Sequence, residues 1–150
     1  MKFKYFIPLF LFVLIFCSCN KEKRQAKKDD DIIKKYISDN HLNATATGTG
    51  LYYEIDAQGT GVQPNASSQV TVAYKGYFTD GSVFDQSAAT GITFSLSGVI
   101  QGWTEGIPYF KKGGKGKLLI PSKLGYGTDG TSGVPGNSVL IFDITLLDVK

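Results

Sequence analysis

The dipeptide Phe84-Asp85 and, after thirteen intervening residues, the run Val99-Ile100-Gln101-Gly102-Trp103 bring together one acid and the only tryptophan of this 150-residue chain. The run Val70-Thr71-Val72-Ala73-Tyr74-Lys75-Gly76-Tyr77 precedes them, and Ile120-Pro121, Tyr126-Gly127 and Val139-Leu140-Ile141-Phe142-Asp143 follow. Aromatics and an acid recur here at positions that an ordinary small core would not all need. The chemistry they offer is not nucleophilic or metal-based. The single histidine, His41, lies in the amino-terminal segment, so no His-based triad or zinc cluster can form in the body of the chain. Gly48-Thr49-Gly50 and Gly59-Thr60-Gly61 lead neither into Gly-Lys-Ser/Thr nor into a helix, which excludes phosphate loops. No metal and no cofactor are expected. Taken singly, Trp103, Phe142 and Phe84 would be buried in almost any fold of this size. Asp85, after Val83-Phe84, reads equally well as a turn cap. Tyr126, between Gly125 and Gly127, suits a rim better than a core.

The elements that must position these residues are mostly strands. Beyond residue 51 apolar side chains recur with a period of two, which predicts strands over 51–55, 70–74, 92–96, 115–120 and 139–149. Val70, Val72 and Tyr74 share one face, and so do Leu140, Phe142, Ile144 and Leu146. Asp80-Gly81 predicts a hairpin turn between Phe78 and Val83. Within the body only residues 104–110 read as helix. That helix is short, is stopped by Gly113-Gly114, and holds Pro108, which is tolerated only in a first turn. The pattern predicts an α+β fold: an antiparallel sheet of five to six strands with one short helix packed on it.

In order and spacing these segments resemble the FKBP family of peptidyl-prolyl cis-trans isomerases, over residues 51–150. The resemblance implies a curved antiparallel sheet wrapped around one short helix, with 51–150 as the isomerase domain. The implied reaction suits a chain without nucleophile or metal. Rotation about an X-Pro bond faces a barrier of ~18–20 kcal/mol set by amide resonance, and lowering it breaks no bond. A dry aromatic pocket helps, because the twisted amide has less charge separation than the planar one and loses less on desolvation. Donors that suit the twisted geometry add to this.

Carried over residue by residue, Trp103 is the floor beneath the proline ring, and Tyr74, Phe84, Val99, Ile100 and Phe142 are walls. Ile92 stands where other members carry an aromatic or an aliphatic side chain. The Ile100 N–H and the Tyr126 hydroxyl hold substrate carbonyls. Asp85 is the polar group at the wall, oriented through Tyr74. Residues 128–136 overhang the pocket, with Val134 on its rim. Many members have Ile or Val where Gly133 stands here and a second Pro where Gly136 stands, which predicts a thinner rim and a softer loop. The implied partners are proline-containing polypeptides and macrolide-type inhibitors of the FK506 and rapamycin class. A proline-segment-binding chaperone module with little or no isomerase activity is the alternative.

The first 50 residues differ in character. Residues 51–150 hold seven Lys against eight Asp/Glu, so the +3 of the whole chain comes from the amino-terminal third, and no nucleic-acid footprint is present. Lys2 and Lys4 precede an apolar stretch, 6–16, that is too short to span a membrane and ends in Cys17-Ser18-Cys19. That pattern resembles a bacterial lipoprotein signal, which implies cleavage after residue 18, acyl chains on Cys19 and a membrane-anchored protein of the bacterial cell envelope. Residues 19–50 are then a tether with one short helix over about 29–40. Its start is set by Asp29-Asp30-Asp31, its apolar stripe by Ile32, Ile33, Tyr36 and Ile37, and its end by Asp39-Asn40-His41. A linker over 43–50 leads to the domain.

Overall fold

The computed structural model describes the backbone of residues 13–150 and the side chains of residues 20–150. The expected signal cleavage and the acyl site at Cys19 fall outside the described side chains.

The first element, α1, is longer than its sequence signals predict. It runs Val13–Asp39, so the expected tether is helical. Residues 20–28 contain no Gly or Pro and are rich in Lys, Glu, Gln, Ala and Arg, all good helix formers. The acidic triplet therefore lies within the helix, where Asp29 is engaged in tertiary contacts. Spaced pairs Lys27–Asp31 (3.1 Å), Lys34–Asp30 (2.7 Å) and Lys35–Asp39 (2.7 Å) support the exposed side. The stop falls where the sequence places it. His41 adopts a left-handed conformation (φ 55°), and Leu42 N–H donates to Ile37 C=O over 3.0 Å, closing a Schellman-type cap.

Seven strands follow: β1 Thr45–Ala46, β2 Tyr52–Ala57, β3 Gln69–Tyr77, β4 Val83–Gln86, β5 Ile92–Ser95, β6 Lys115–Ile120 and β7 Leu140–Val149. All pairings are antiparallel, in the order β1-β2-β6-β7-β3. The far edge of β3 is shared: β4 pairs with 75–77 and β5 with 69–72. The extra strand relative to the sequence pattern is β1, a two-residue ribbon within the expected linker. The short helix α2, Gln101–Gly106, passes into a 3-10 turn Ile107–Tyr109 with Pro108 in its first positions. It thus begins three residues before the predicted start, and Pro108 costs no α-helical hydrogen bond.

The sheet has two covered faces. Register aligns Tyr52, Leu119, Ile141 and Tyr77 as one row across β2, β6, β7 and β3. From this outer row Tyr52 and Leu119 pack with Val139 and α1 residue Ile33, and Tyr36 and Ile37 flank them. Asp29 is fully buried and accepts from both the N–H (2.8 Å) and the hydroxyl (2.6 Å) of Ser122, while Tyr52 donates to Asp30 (2.8 Å). Of the apolar stripe, Ile33, Tyr36 and Ile37 thus dock onto the body of the chain, while Ile32 is exposed. On the inner face Leu118, Ile120, Leu140, Phe142, Ile144 and Leu146 form the core with Trp103, Ile107 and Phe110. Gly102 lets α2 lie close to β6, since a Cβ there would come 2.5 Å from Ile120.

Candidate active site

A cavity of about 470 Å³ opens on the inner face of the sheet, beside the first turn of α2. Ile100, just before α2, supplies an N–H of the kind that has no intrahelical acceptor. Trp103 follows within the first turn and is 5% exposed, so its ring is a fixed floor. Tyr74 and Phe142 meet that ring edge-on, at centroid distances of 5.0 and 5.1 Å and interplanar angles of 85° and 82°. Such arrangements set the positive edge of one ring against the negative face of another. Val99 and Ile100 close one side and Ile92 another.

Phe84 and Asp85 reach the same side of the sheet because β4 is bulged. Val83 pairs with Tyr77 and Asp85 with Gly76, so Phe84 is the extra residue. In a regular strand the two side chains would alternate. Here Asp85 lines the cavity while the Phe84 ring packs edge-on against Phe142 (5.5 Å, 87°). Gly76 makes the bulge fit, since a Cβ at this position would come 2.7 Å from both Phe142 and Phe84.

The polar groups gather at one wall. The Tyr74 hydroxyl donates to Asp85 Oδ2 over 2.7 Å. Burial, then that hydrogen bond, pushes the Tyr74 hydroxyl up to about 12. Tyr126 is also held above its ordinary value, by burial first and the charge of Asp85 second. Both are therefore neutral O–H groups at physiological pH. Tyr126 stays partly open to solvent (38%) and is held by its backbone: its carbonyl accepts from Gly130 N–H (3.1 Å), and Gly127 N–H donates to Ser122 C=O (2.8 Å). Among the described residues no cluster of three His, Cys, Asp or Glu is placed to hold a metal ion.

Eight of the residues singled out in the sequence line this cavity: Tyr74, Asp85, Ile92, Val99, Ile100, Trp103, Tyr126 and Phe142. Phe84 stands behind Phe142 and shapes the wall without lining it. Val134 is not on the rim. Gly133 adopts φ 80°, so Thr131 and Val134 exchange backbone hydrogen bonds (2.9 and 3.0 Å), and Val134 packs into the core at 4% exposure. The glycine read as softening the loop forms its turn. Two further residues line it, Phe94 and Gly98. Phe94 was accessible to alternation, since it shares a face of β5 with Ile92. Its ring lies 5.2 Å from Trp103 and supplies on this strand the aromatic that position 92 lacks.

The family described as FKBP-type peptidyl-prolyl cis-trans isomerase matches residues 60–147. The chain belongs to this family. It is 51% identical over 106 residues to the FKBP-type peptidyl-prolyl cis-trans isomerase FkpA of Escherichia coli K12, an alignment covering 69% of this chain and 39% of that protein. It is 42% identical over 152 residues to FkpA of Buchnera aphidicola subsp. Baizongia pistaciae, covering 99% of this chain and 57% of the relative. The chain thus spans about two-fifths to three-fifths of the length of these relatives. Among solved family structures, that of E. coli FkpA superposes with a TM-score of 0.71 at 39% identity, covering 93% of this chain and 70% of the other. A peptidyl-prolyl isomerase from Pseudomonas syringae gives 0.75 at 29%, covering 85% and 95%. The family fold, sheet around short helix, is the one described above.

Proposed function

We propose that this chain is a peptidyl-prolyl cis-trans isomerase that accelerates X-Pro rotation during the folding of exported proteins. The observation that carries the proposal is the cavity itself: a buried Trp103 floor, edge-on aromatic walls, and two neutral tyrosine hydroxyls with one carboxyl at a single wall. The proline ring sits on Trp103 between Tyr74, Phe94 and Phe142. Removing the amide from water raises the planar, charge-separated form more than the twisted one, which lowers a barrier of ~18–20 kcal/mol. The Ile100 N–H and the Tyr126 hydroxyl hold the flanking carbonyls and fix one side of the bond while the other turns. Asp85 fixes Tyr74 against the floor. Only interactions stronger in the twisted state contribute to rate, at about 1.4 kcal/mol for each tenfold.

A protease-coupled assay on X-Pro tetrapeptides tests the proposal. Acceleration proportional to enzyme is expected, and macrolides of the FK506 class should suppress it while changing Trp103 fluorescence. No acceleration at micromolar enzyme would overturn it; a fluorescence change from proline peptides alone would leave a binding module in its place.

The cell envelope is the proposed location. Cleavage before Cys19 and acylation of that residue would anchor the protein there by lipid. Mass spectrometry of the amino-terminal peptide tests this, since an unmodified Cys19 or an uncleaved segment 1–18 is incompatible with it.

A further inference from the structure

The rotation of α1 is fixed by its contacts with the domain. Asp29 is buried against Ser122, and Ile33, four residues on, is fully buried against the outer sheet face. At about 100° per residue, Lys23, Arg24, Lys27 and Lys28 then project from the side of the helix turned away from the domain. All four are exposed. Glu22 is the only acid between residues 20 and 28, and it lies on the docked side, lining the cleft between α1 and Ser122. The outward face of these turns is therefore cationic, bounded by Asp31 one turn on.

Further along, Lys34 and Lys35 are matched by Asp30 and Asp39. Among the described residues Lys23, Arg24 and Lys28 form no ion pair, and Lys27 has only the exposed Asp31. The rest of the chain does not share this excess, since residues 51–150 carry a net charge of −1.

We infer that this face of α1 is an electrostatic docking surface for an anionic lipid bilayer. Charge complementarity and continuity with the membrane-proximal end carry the inference. The helix passes without a break from position 19, the proposed acyl site, into the cationic turns. Lys23 and Arg24 lie within about 8 Å of helix from Cys19, about one Debye length at physiological salt, and Lys27 and Lys28 lie within about 14 Å. Clustered cations beside a membrane attachment point are attracted to anionic headgroups.

The layer order then has a functional consequence. With α1 between the bilayer and the outer sheet face, the proline cavity lies on the opposite face of the sheet, turned away from lipid. A polypeptide reaches it from the aqueous side. The inference rests on the envelope-anchored reading for the source of the membrane, and the experiment separates the two.

The test partitions the full-length purified protein onto vesicles of phosphatidylcholine alone or with one-third phosphatidylglycerol. Partition onto neutral vesicles reads the anchor. The ratio of anionic to neutral partition reads the cationic face. A ratio of at least ten is expected at low salt, falling toward one at 0.5 M salt. The quadruple variant Lys23→Gln, Arg24→Gln, Lys27→Gln, Lys28→Gln should bring the ratio to about one with its melting temperature retained. Lys111→Gln with Lys115→Gln, on the body, should leave the ratio unchanged. A wild-type ratio of one, or one insensitive to salt, overturns the inference even if the quadruple variant fails to fold. So does a folded quadruple variant that keeps the wild-type ratio.

Discussion

The Tyr74 hydroxyl and Asp85 Oδ2 are 2.7 Å apart across the β3–β4 pair, and this bond joins the single acid of the cavity to a ring that stands edge-on against Trp103. Asp85 is exposed and contributes little to the core. Asp85→Ala should therefore lower kcat/KM for X-Pro isomerisation about tenfold, or ~1.4 kcal/mol, while the unfolding midpoint stays near wild type. Paired kinetic and urea-denaturation measurements check this. Equal loss of stability and activity would assign Asp85 a structural role only.

The burial of Tyr74 and this bond together predict an alkaline dependence. Burial and Asp85 raise the Tyr74 hydroxyl from its ordinary 10.0 to about 12 in the folded state. A raised folded-state value stabilises the protein fully below pH 10, and the contribution is lost as pH climbs through about 12. Stability measured between pH 9 and 12 should fall more steeply in the wild type than in Tyr74→Phe. Parallel slopes would mean that the Tyr74 hydroxyl is not held above its ordinary value.

Gly76 is the one position on β3 where the rings of Phe84 and Phe142 leave no space for a side chain. Gly76→Ala should cost about 1–3 kcal/mol by overpacking and should also weaken proline-peptide binding, because the displaced Phe142 is a wall. Chemical denaturation and Trp103 fluorescence titration read the two effects separately.

Phe94 and Val134 should behave in opposite ways. Phe94 lines the cavity while Val134 is in the core. Phe94→Leu is expected to lower kcat/KM several-fold with stability nearly kept. Val134→Ala should lose about 1.5 kcal/mol of stability, near ~0.8 kcal/mol per buried carbon, with kcat/KM unchanged.

Docking of α1 rests on Asp29. Asp29→Ala removes the acceptor of the buried Ser122 N–H and hydroxyl, and should cost about 3 kcal/mol in urea unfolding, the upper end for a buried unsatisfied group. Asp29→Asn keeps one acceptor oxygen and should cost less.

The sequence by itself determined much of this protein. Alternating apolar residues place the strands, Asp80-Gly81 makes a hairpin turn, and Asn40-His41 ends α1, because each depends on the conformational preferences of a few neighbouring residues. Family spacing identified most of the cavity as well. Only the tertiary structure decided what depends on distant partners. Asp29 looks like a helix start in sequence, yet its partner Ser122 lies 93 residues away. Phe84 and Asp85 would alternate in any regular strand, and the bulge opposite Gly76 is what sets both on the inner face. Val134 turns inward because Gly133 closes a hairpin, and Phe94 faces the floor because β5 takes the edge of β3 that β4 leaves free. Local preference ends where a side chain's surroundings are supplied by another part of the chain.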